Sequence, residues 1–288
     1  MSDADLEAWR QVRKVVVPNE RASSVEELRR LETQDRLLLL AELAGELAGS
    51  GFASRSEMAG LGSLAPRVLP EARHRGVGTA LFRSLAAHVA ALGFAEANTT
   101  VGDKESLAFA ERFDWREVDR QVEQVRTIGR EEPPRAPDGV ELVSLAERLD
   151  LSEAVYTQVA VEVLADIPVD PPLEVSLEDW ERGWTSLSEG TFLALAGGEV
   201  VGCAGLMLDP DRPDRAEHSL TAVRRDLRGR GIAKALKQAT IAWAAENGIR
   251  ELYTWTQRGN ESMQRLNERL GYVVRNWCTS VRGPVSLR

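Results

Sequence analysis

One pattern in this chain occurs twice, and it limits the fold more than any other feature. "ARHRGVGTALF" at 72–82 returns as "LRGRGIAKALK" at 227–237, with Arg73 and Arg228 standing 155 residues apart. At the same offset Gly76 and Gly78 match Gly231 and Ala233, Ala80-Leu81 match Ala235-Leu236, and Gly93 matches Gly248. Upstream, "AGELAG" (44–49) echoes "GGEVVG" (197–202) at an offset of 153. Matches kept in one order over so long a span are read as an internal duplication. A chain of 288 residues is long enough for two such units, each burying its own core. Between them "GREEPPRAPDG" (129–139) concentrates Pro, Gly and charge, the composition of a linker. The expected organisation is therefore a domain over 1–128, a linker over 129–138 and a second domain over 139–288.

Composition narrows the function classes. With 43% hydrophobic and 28% charged residues the chain reads as globular, and no apolar run is long enough to span a bilayer. The opening "MSDADLEAWRQVRK" has no apolar segment of the kind a secretory signal needs. Cys203 and Cys278 are too few for a disulfide framework and lack metal-ligand spacing, so no metal is expected and a reducing cytoplasm is. A net charge of −9 argues against a nucleic-acid partner, which requires basic surface, and is compatible with a cationic small molecule such as an amine. Nothing in the chain sets an oligomeric state.

The second half parses readily. "GVELVSLAE" (139–147) alternates as an opening strand, "SEAVYTQVAVEVL" (152–164) has helical spacing behind a serine, and "SLEDWERGWTSL" (176–187) begins like a capping box. "TFLALA" and "EVVGCAGLML" flank Gly197-Gly198, a hairpin signal. "HSLTAV" (218–223) is a strand running towards the repeated loop, and a long helix over 231–248 ends at Asn-Gly. A strand, a helix and a closing strand follow. The first half repeats this order with helices near 5–15, 25–33, 77–92 and 105–113, but no strand precedes its first helix, so it either lacks an edge strand or borrows one.

In each half an apolar strand enters Arg-x-x-Gly-x-Gly/Ala and turns straight into a long helix. A helix start presents N–H groups without internal partners, and its dipole favours negative charge. Glycines let a bulky anion reach the backbone, and arginines add charge-assisted donors. The loop reads as a diphosphate cradle. A Walker loop would carry Gly-Lys-Ser/Thr, which neither copy has, and a Rossmann fingerprint would sit in the first strand–helix turn of its domain, whereas these loops follow a hairpin and a third strand.

This order of elements resembles the GNAT N-acetyltransferase superfamily. "VRRDLRGRGIAKALK" looks like its motif A and "TWTQRGNESMQRLNERLGY" (254–272) like its motif B. The two-copy arrangement is similar to that of actinobacterial tandem members, mycothiol synthase among them. The resemblance implies an α/β (α+β) fold with two tandem domains, each a mixed, mostly antiparallel sheet flanked by helices. It also implies an acetyl-CoA-dependent transfer to an amine. The cofactor's diphosphate would lie on Arg228, Gly229, Arg230, Gly231, Ile232, Ala233 and Lys234, and in the first half on Arg73, His74, Arg75, Gly76, Val77, Gly78 and Thr79.

The resemblance nominates further residues. Glu217, eleven residues before Arg228, takes the place of a glutamate base; the alternative is an exposed charge at a strand end. The amide of Val223 or Ala222, and that of Val68 in the first half, would meet the thioester oxygen. The motif-B position normally held by a proton-donating tyrosine is Asn267, which can donate a hydrogen bond to sulfur but cannot release a proton. Asn260 would contact the pantetheine arm or cap its helix. The first half has Gly62 eleven residues before Arg73 and Ala110 in the tyrosine slot, so it keeps the cradle and loses the chemistry. For the acceptor, the connection 162–184 offers Asp166, Asp170 and Glu174 with Trp180 and Trp184. It reads either as a cation-recognising pocket, with Asp166 and Trp184 touching substrate, or as a proline-stiffened loop whose tryptophans fill the core. Trp243, Trp255 and Trp277 are expected in the core. The leading function is acetyl transfer to a small-molecule amine; peptide or protein acetylation and a non-catalytic acyl-CoA sensor are the alternatives.

Overall fold

The computed structural model describes residues 1–286 and divides by contact into two compact units. The first comprises Met1–Gln121 together with the chain from Trp277 onward; the second is Val122–Asn276.

The first unit opens with helices α1 (Asp3–Val16) and α2 (Val25–Arg30). Each starts in a capping box: Ser2 with Asp5, and Ser24 with Glu27, answer amides that the helix cannot satisfy itself. Strands β1 (Leu37–Leu43), β2 (Glu46–Arg55) and β3 (Gly62–Val68) form an antiparallel meander. Helix α3 (Val77–Ala91), strand β4 (Glu96–Val101), helix α4 (Lys104–Glu111) and strand β5 (Arg116–Thr127) complete the unit's own sequence, with β5 passing into the second unit at Val122. No strand precedes α1, as the sequence indicates. On the far side of β4 lies the end of the chain: Thr279–Pro284 pairs antiparallel with Glu96–Val101. Phe82, Leu85 and Val89 of α3 pack on Ala53, Leu64 and Ala97 of the sheet, and Phe82 stacks on Phe113 at 4.1 Å. Each such buried side chain contributes about 1.5–3 kcal/mol.

The second unit starts at β6 (Val140–Ser144). Helices α5 (Ser152–Val155) and α6 (Val161–Asp166) are joined by a π turn, Tyr156–Ala160, and α7 (Leu177–Asp179) continues into a second π turn, Trp180–Trp184. Both expected helices are present, the second shorter than the sequence suggests because it ends at Thr185. Ser176 caps α7 by accepting from the Asp179 amide, whereas Ser152 lies inside its helix and donates to Glu181 instead. Strands β7 (Phe192–Ala196) and β8 (Glu199–Asp209) form the hairpin, with Gly197 and Gly198 both left-handed as a two-residue turn demands. Then come β9 (Arg212–Val223), α8 (Ile232–Glu246), β10 (Glu251–Gln257), α9 (Glu261–Arg269) and β11 (Val273–Pro284). The strand order of this unit is β5-β10-β9-β8-β7-β6, with β9 to β6 antiparallel and β9 and β10 parallel. One core lies under α5–α7 and contains Trp180, Leu193 and Cys203; α8 and α9 cover the opposite face with Leu236, Ile241 and Leu266. Trp243 and Trp255 are partly buried, but Trp277 is 56% exposed, which corrects its expected place in the core. Among the described residues no helix is long and apolar enough to cross a membrane.

Candidate active site

The two copies of the repeated loop take the same backbone shape. Gly229 and Gly231 are left-handed at φ 77° and 85°, and their counterparts His74 and Gly76 at 58° and 88°. In both copies the last of these residues is the N-cap of the long helix, and neither helix start receives a side-chain cap. This contrasts with α1, α2 and α4, where Ser2, Ser24 and Asp103 fill that role. With no side chain on them, the amides at these two starts stay open beside the exposed arginines of the loop. Ile232 and Val77 are buried and anchor the helices, while Arg228, Arg230, Lys234, Arg73, His74 and Arg75 are exposed; Ala233, Gly78 and Thr79 lie at intermediate depth. The first arginine of each loop folds back in the same way. Arg228 Nε donates to the Val223 carbonyl at 3.0 Å, and Arg73 Nε to that of Val68 at 3.4 Å.

Next to the second loop the sheet opens. Strands β9 and β10 pair only from Arg215–Glu251 to Glu217–Tyr253 and part beyond that point. Strand β9 also carries a bulge, since Ala204 faces Thr221 while Leu206 faces His218. Past the last pair, the Ser219, Thr221 and Thr256 hydroxyls are buried without a hydrogen-bond partner among the described residues. Such groups cost free energy unless something answers them.

Glu217 sits at the fork, partly buried, and its Oε2 accepts from the Tyr253 phenol at 2.8 Å. Burial first, and then the Glu217 charge, push the Tyr253 pKa far up, so the phenol stays a donor. The ring is backed by the Arg215 guanidinium, 3.8 Å from its centroid. Arg215 is fully buried among Glu251, Glu123 and Asp209, and Arg275 binds Glu123 and Glu251 in turn. The sequence reading missed this network; its available signal was the Arg215-x-Glu217 spacing, which puts two charges on one strand face. His218 points the other way, its Nε2 2.5 Å from the Tyr272 phenol oxygen and Nδ1 without a partner.

Other nominated residues lie elsewhere. Ala222 and Val223 end β9, both buried and paired with Cys203 and Gly202. Asn267 is fully buried, and its amide nitrogen donates to Gln124 Oε1 at 2.9 Å, leaving its oxygen without a partner. Gln124, on a strand expected to serve the first half, gave no signal in the sequence. Asn260 occupies the N-cap position of α9 but makes no cap bond; its Oδ1 accepts from the Ser262 hydroxyl. Asp166, nominated for an acceptor pocket, binds Arg225 and, at 2.7 Å, Arg228 of the loop. Those partners, Arg225 foremost, hold its carboxyl below the usual range. Two residues on, Pro168 would stand 3.2 Å from a Cβ at Gly259, so this segment touches the flanks of both parted strands. Trp184 is half-buried and stacks on Trp180 at 5.8 Å, against the helical core.

The family model for the Acetyltransferase (GNAT) family matches this chain twice, over residues 4–115 and 157–272. The chain belongs to the GNAT family. Solved structures agree on the fold. A GCN5-related N-acetyltransferase from Sphaerobacter thermophilus is 22% identical with a TM-score of 0.73, covering 99% of this chain and 94% of that one. A tandem GNAT protein from the clavulanic acid biosynthesis pathway, solved without AcCoA, is 16% identical with a TM-score of 0.77, covering 100% and 98%. An acetyltransferase structure from Pyrococcus horikoshii is 16% identical at 0.64, covering 100% and 88%. Acyl transfer is the chemistry these relationships support, on two GNAT domains in tandem.

The GNAT frame lets the two units be compared position by position, and it corrects one count. In the first unit β3 and β4 pair only at Gly62–Ala97 and Ser63–Asn98 before parting, so the same fork exists there. Ser54 faces Ser63 across β2–β3 as Met207 faces Glu217 across β8–β9. The counterpart of Glu217 is therefore Ser63, not Gly62, because the bulge gives β9 one extra residue. Gly62 instead takes the place of Ala216, where α3 leaves no room: a Cβ would lie 2.2 Å from Val89 Cγ1. Neither Ser63 nor Gly62 can serve as a base at neutral pH. Ala110, in the tyrosine slot, is buried, and Asp114 adopts the left-handed conformation that Gly271 has in the second unit.

Proposed function

We propose that the second unit is an acetyl-CoA-dependent N-acetyltransferase that acylates a primary amine of a small molecule by direct attack on the thioester. The head of α8 carries this reading: an uncapped helix start behind two left-handed glycines, rimmed by exposed cations and opening beside parted strands. These residues fit the cofactor. The amides from Gly229 to Ala233, with Arg228, Arg230 and Lys234, suit a diphosphate. The orphaned hydroxyls of Ser219, Thr221 and Thr256 suit an amide-rich arm, with Asn260 beside it at the start of α9. When bound, acetyl-CoA supplies an acyl group activated as a thioester.

The chain's own groups do the rest. A lysine-like amine has a pKa of about 10.4 and arrives protonated, so a base is required. Glu217 is that base, directly or through a water, and the Tyr253 phenol fixes its orientation. The Ala222 or Val223 amide, at the end of the parted strand, stabilises the oxygen on which charge develops. Thiols have a pKa of about 8.5, so the leaving sulfur requires no strong acid. Asn267 gives one of its two amide hydrogens to Gln124 and has only the other to offer as a donor. The first unit, with Ser63 at the fork, binds acyl-CoA without turning it over.

The commitment of Asn267 to Gln124 favours a second reading, a non-catalytic acyl-CoA sensor. Release of CoA thiol with a panel of amines, together with calorimetry on acetyl-CoA, separates the two. The expected result is turnover with at least one amine, abolished by Gly231→Glu and retained in Gly76→Glu. Tight binding without turnover on any amine supports the sensor; no binding at all overturns both.

A further inference from the structure

The sheet of the first unit ends at β1, and no strand lies beside its outer edge among the described residues. The second unit fills the same position. Its hairpin strand β7 is covered on that side by β6, antiparallel from Val140–Ala196 to Ser144–Phe192. The first repeat has no strand to place there, so one side of the β1 backbone is left without a ladder.

Strand edges are normally protected by a charge, a proline, a bulge or short length. At β6, the edge of the second unit, the strand has five residues, with the exposed Glu141 among them. By contrast, β1 runs for seven residues and carries neither proline nor charge from Leu37 to Ala41. The one irregularity in its pairing leaves the extra residue, Ala48, on β2, so β1 itself is unbroken. It is apolar on both faces. Leu37, Leu39 and Ala41 pack towards α3, and Leu38 and Leu40 towards Trp9 and Leu28, all of them only partly buried.

This strand is complementary to itself. Two antiparallel copies related by a two-fold axis at Leu39 set Leu38 opposite Leu40, Leu37 opposite Ala41, and Arg36 opposite Glu42. An axis at Leu38 or Leu40 would instead set Arg36 against Leu40 or Ala44, so charge selects Leu39. Arg36 has a donor to spare: its Nε is buried without a partner among the described residues, and its Nη1 makes only a long contact of 3.4 Å with the Leu31 carbonyl. Glu42 is exposed.

We propose that β1 is a dimer interface, on which the β1 strand of a second copy of this chain pairs antiparallel about Leu39 and takes the place that β6 takes in the second unit. The pairing is short for a permanent dimer, so a dissociation constant on the order of 10 μM is expected. The surface lies outside both Arg-Gly loops and does not rest on the acetyl-transfer reading.

The test is sedimentation of the full chain from about 1 to 200 μM, a range that brackets that constant. The mass should rise from 31.7 kDa towards twice that value. Glu42→Arg sets arginine against Arg36 across the axis and should weaken the dimer about tenfold or more, and adding Arg36→Glu should restore it to within about threefold. Cys203 and Cys278 are buried, so Leu39→Cys adds one available thiol, which should join its own copy under mild oxidation. Ser84→Cys, on the exposed face of α3, should not. If Leu39→Cys does not fold, Glu42→Arg, at an exposed position, decides alone. A dimer indifferent to Glu42→Arg and not cross-linked through Leu39→Cys overturns the proposal. So does a chain that stays monomeric at 200 μM with the β1 amides exchanging freely, which leaves the edge to a strand of another protein.

Discussion

Replacing Lys237 with methionine should stabilise this protein below pH 7 and by progressively less above it. Lys237 lies on the inner face of α8 and is 1% exposed, with its Nζ 5.4 Å from the centre of the Tyr272 ring. The groups around it are Tyr272, His218 and Thr240, with the Arg126–Glu131 pair next to Tyr272. None offers the ammonium a carboxylate of its own. Burial alone brings its pKa from 10.5 down to about 7. The attraction of an ammonium to a ring is worth up to about 2 kcal/mol, and it is outweighed. A shift of about 3.5 units corresponds to about 5 kcal/mol. The sign follows from proton binding. Between pH 7 and 10.5 the unfolded chain holds a proton at this site that the folded chain has released, so stability rises with pH through that window. Below pH 7 both states are protonated and the cost is present in full. Urea unfolding of wild type and Lys237→Met from pH 6 to 10 should show the variant ahead by about 5 kcal/mol at pH 6. That lead should shrink by about 1.4 kcal/mol per pH unit above 7. A difference independent of pH, or a less stable variant at pH 6, refutes the argument.

Glu217→Gln should lower kcat by about 10²–10⁴ with little change in acetyl-CoA affinity, measured by CoA-thiol release and calorimetry. Asp166→Asn removes the carboxylate that occupies Arg225 and Arg228, and should tighten CoA binding about tenfold at low salt in calorimetric titration. Gly231→Val forces a branched side chain to φ 85° and should weaken CoA binding more than 100-fold, with a stability loss of about 1–2 kcal/mol by urea unfolding. Gly283→Ala would place a Cβ 2.2 Å from Trp115 Cδ1 and 2.7 Å from its Cα, so backbone must move; a loss of about 3 kcal/mol is expected by the same assay.

The shape of the repeated loop was legible in the sequence because every cause of it is local. Two left-handed residues, an uncapped helix start and adjacent arginines occupy a handful of consecutive positions, and glycine announces the backbone shape that only it adopts freely. His74 shows how far this goes, since the first repeat reaches the same conformation without the glycine. What stayed hidden depends on pairing between distant segments. The bulge in β9 leaves no mark in the alternation of "HSLTAV", yet it shifts the register by one and moves the counterpart of Glu217 from Gly62 to Ser63. The partners of Asn267 and Asp166 come from Gln124 and from Arg225 and Arg228, contacts that no local periodicity encodes. The closing strand has the same property: its alternation identifies a strand, but not that Thr279–Pro284 completes the sheet of the first unit beside β4. That pairing takes beside β4 the place that β5 takes beside β10; it does not supply the missing opening strand, whose position beside β1 has no strand among the described residues. Local chemistry thus announces the shape of the loop, whereas the identity of the group at the fork of the strands is decided by register and can be read only once the strands are paired.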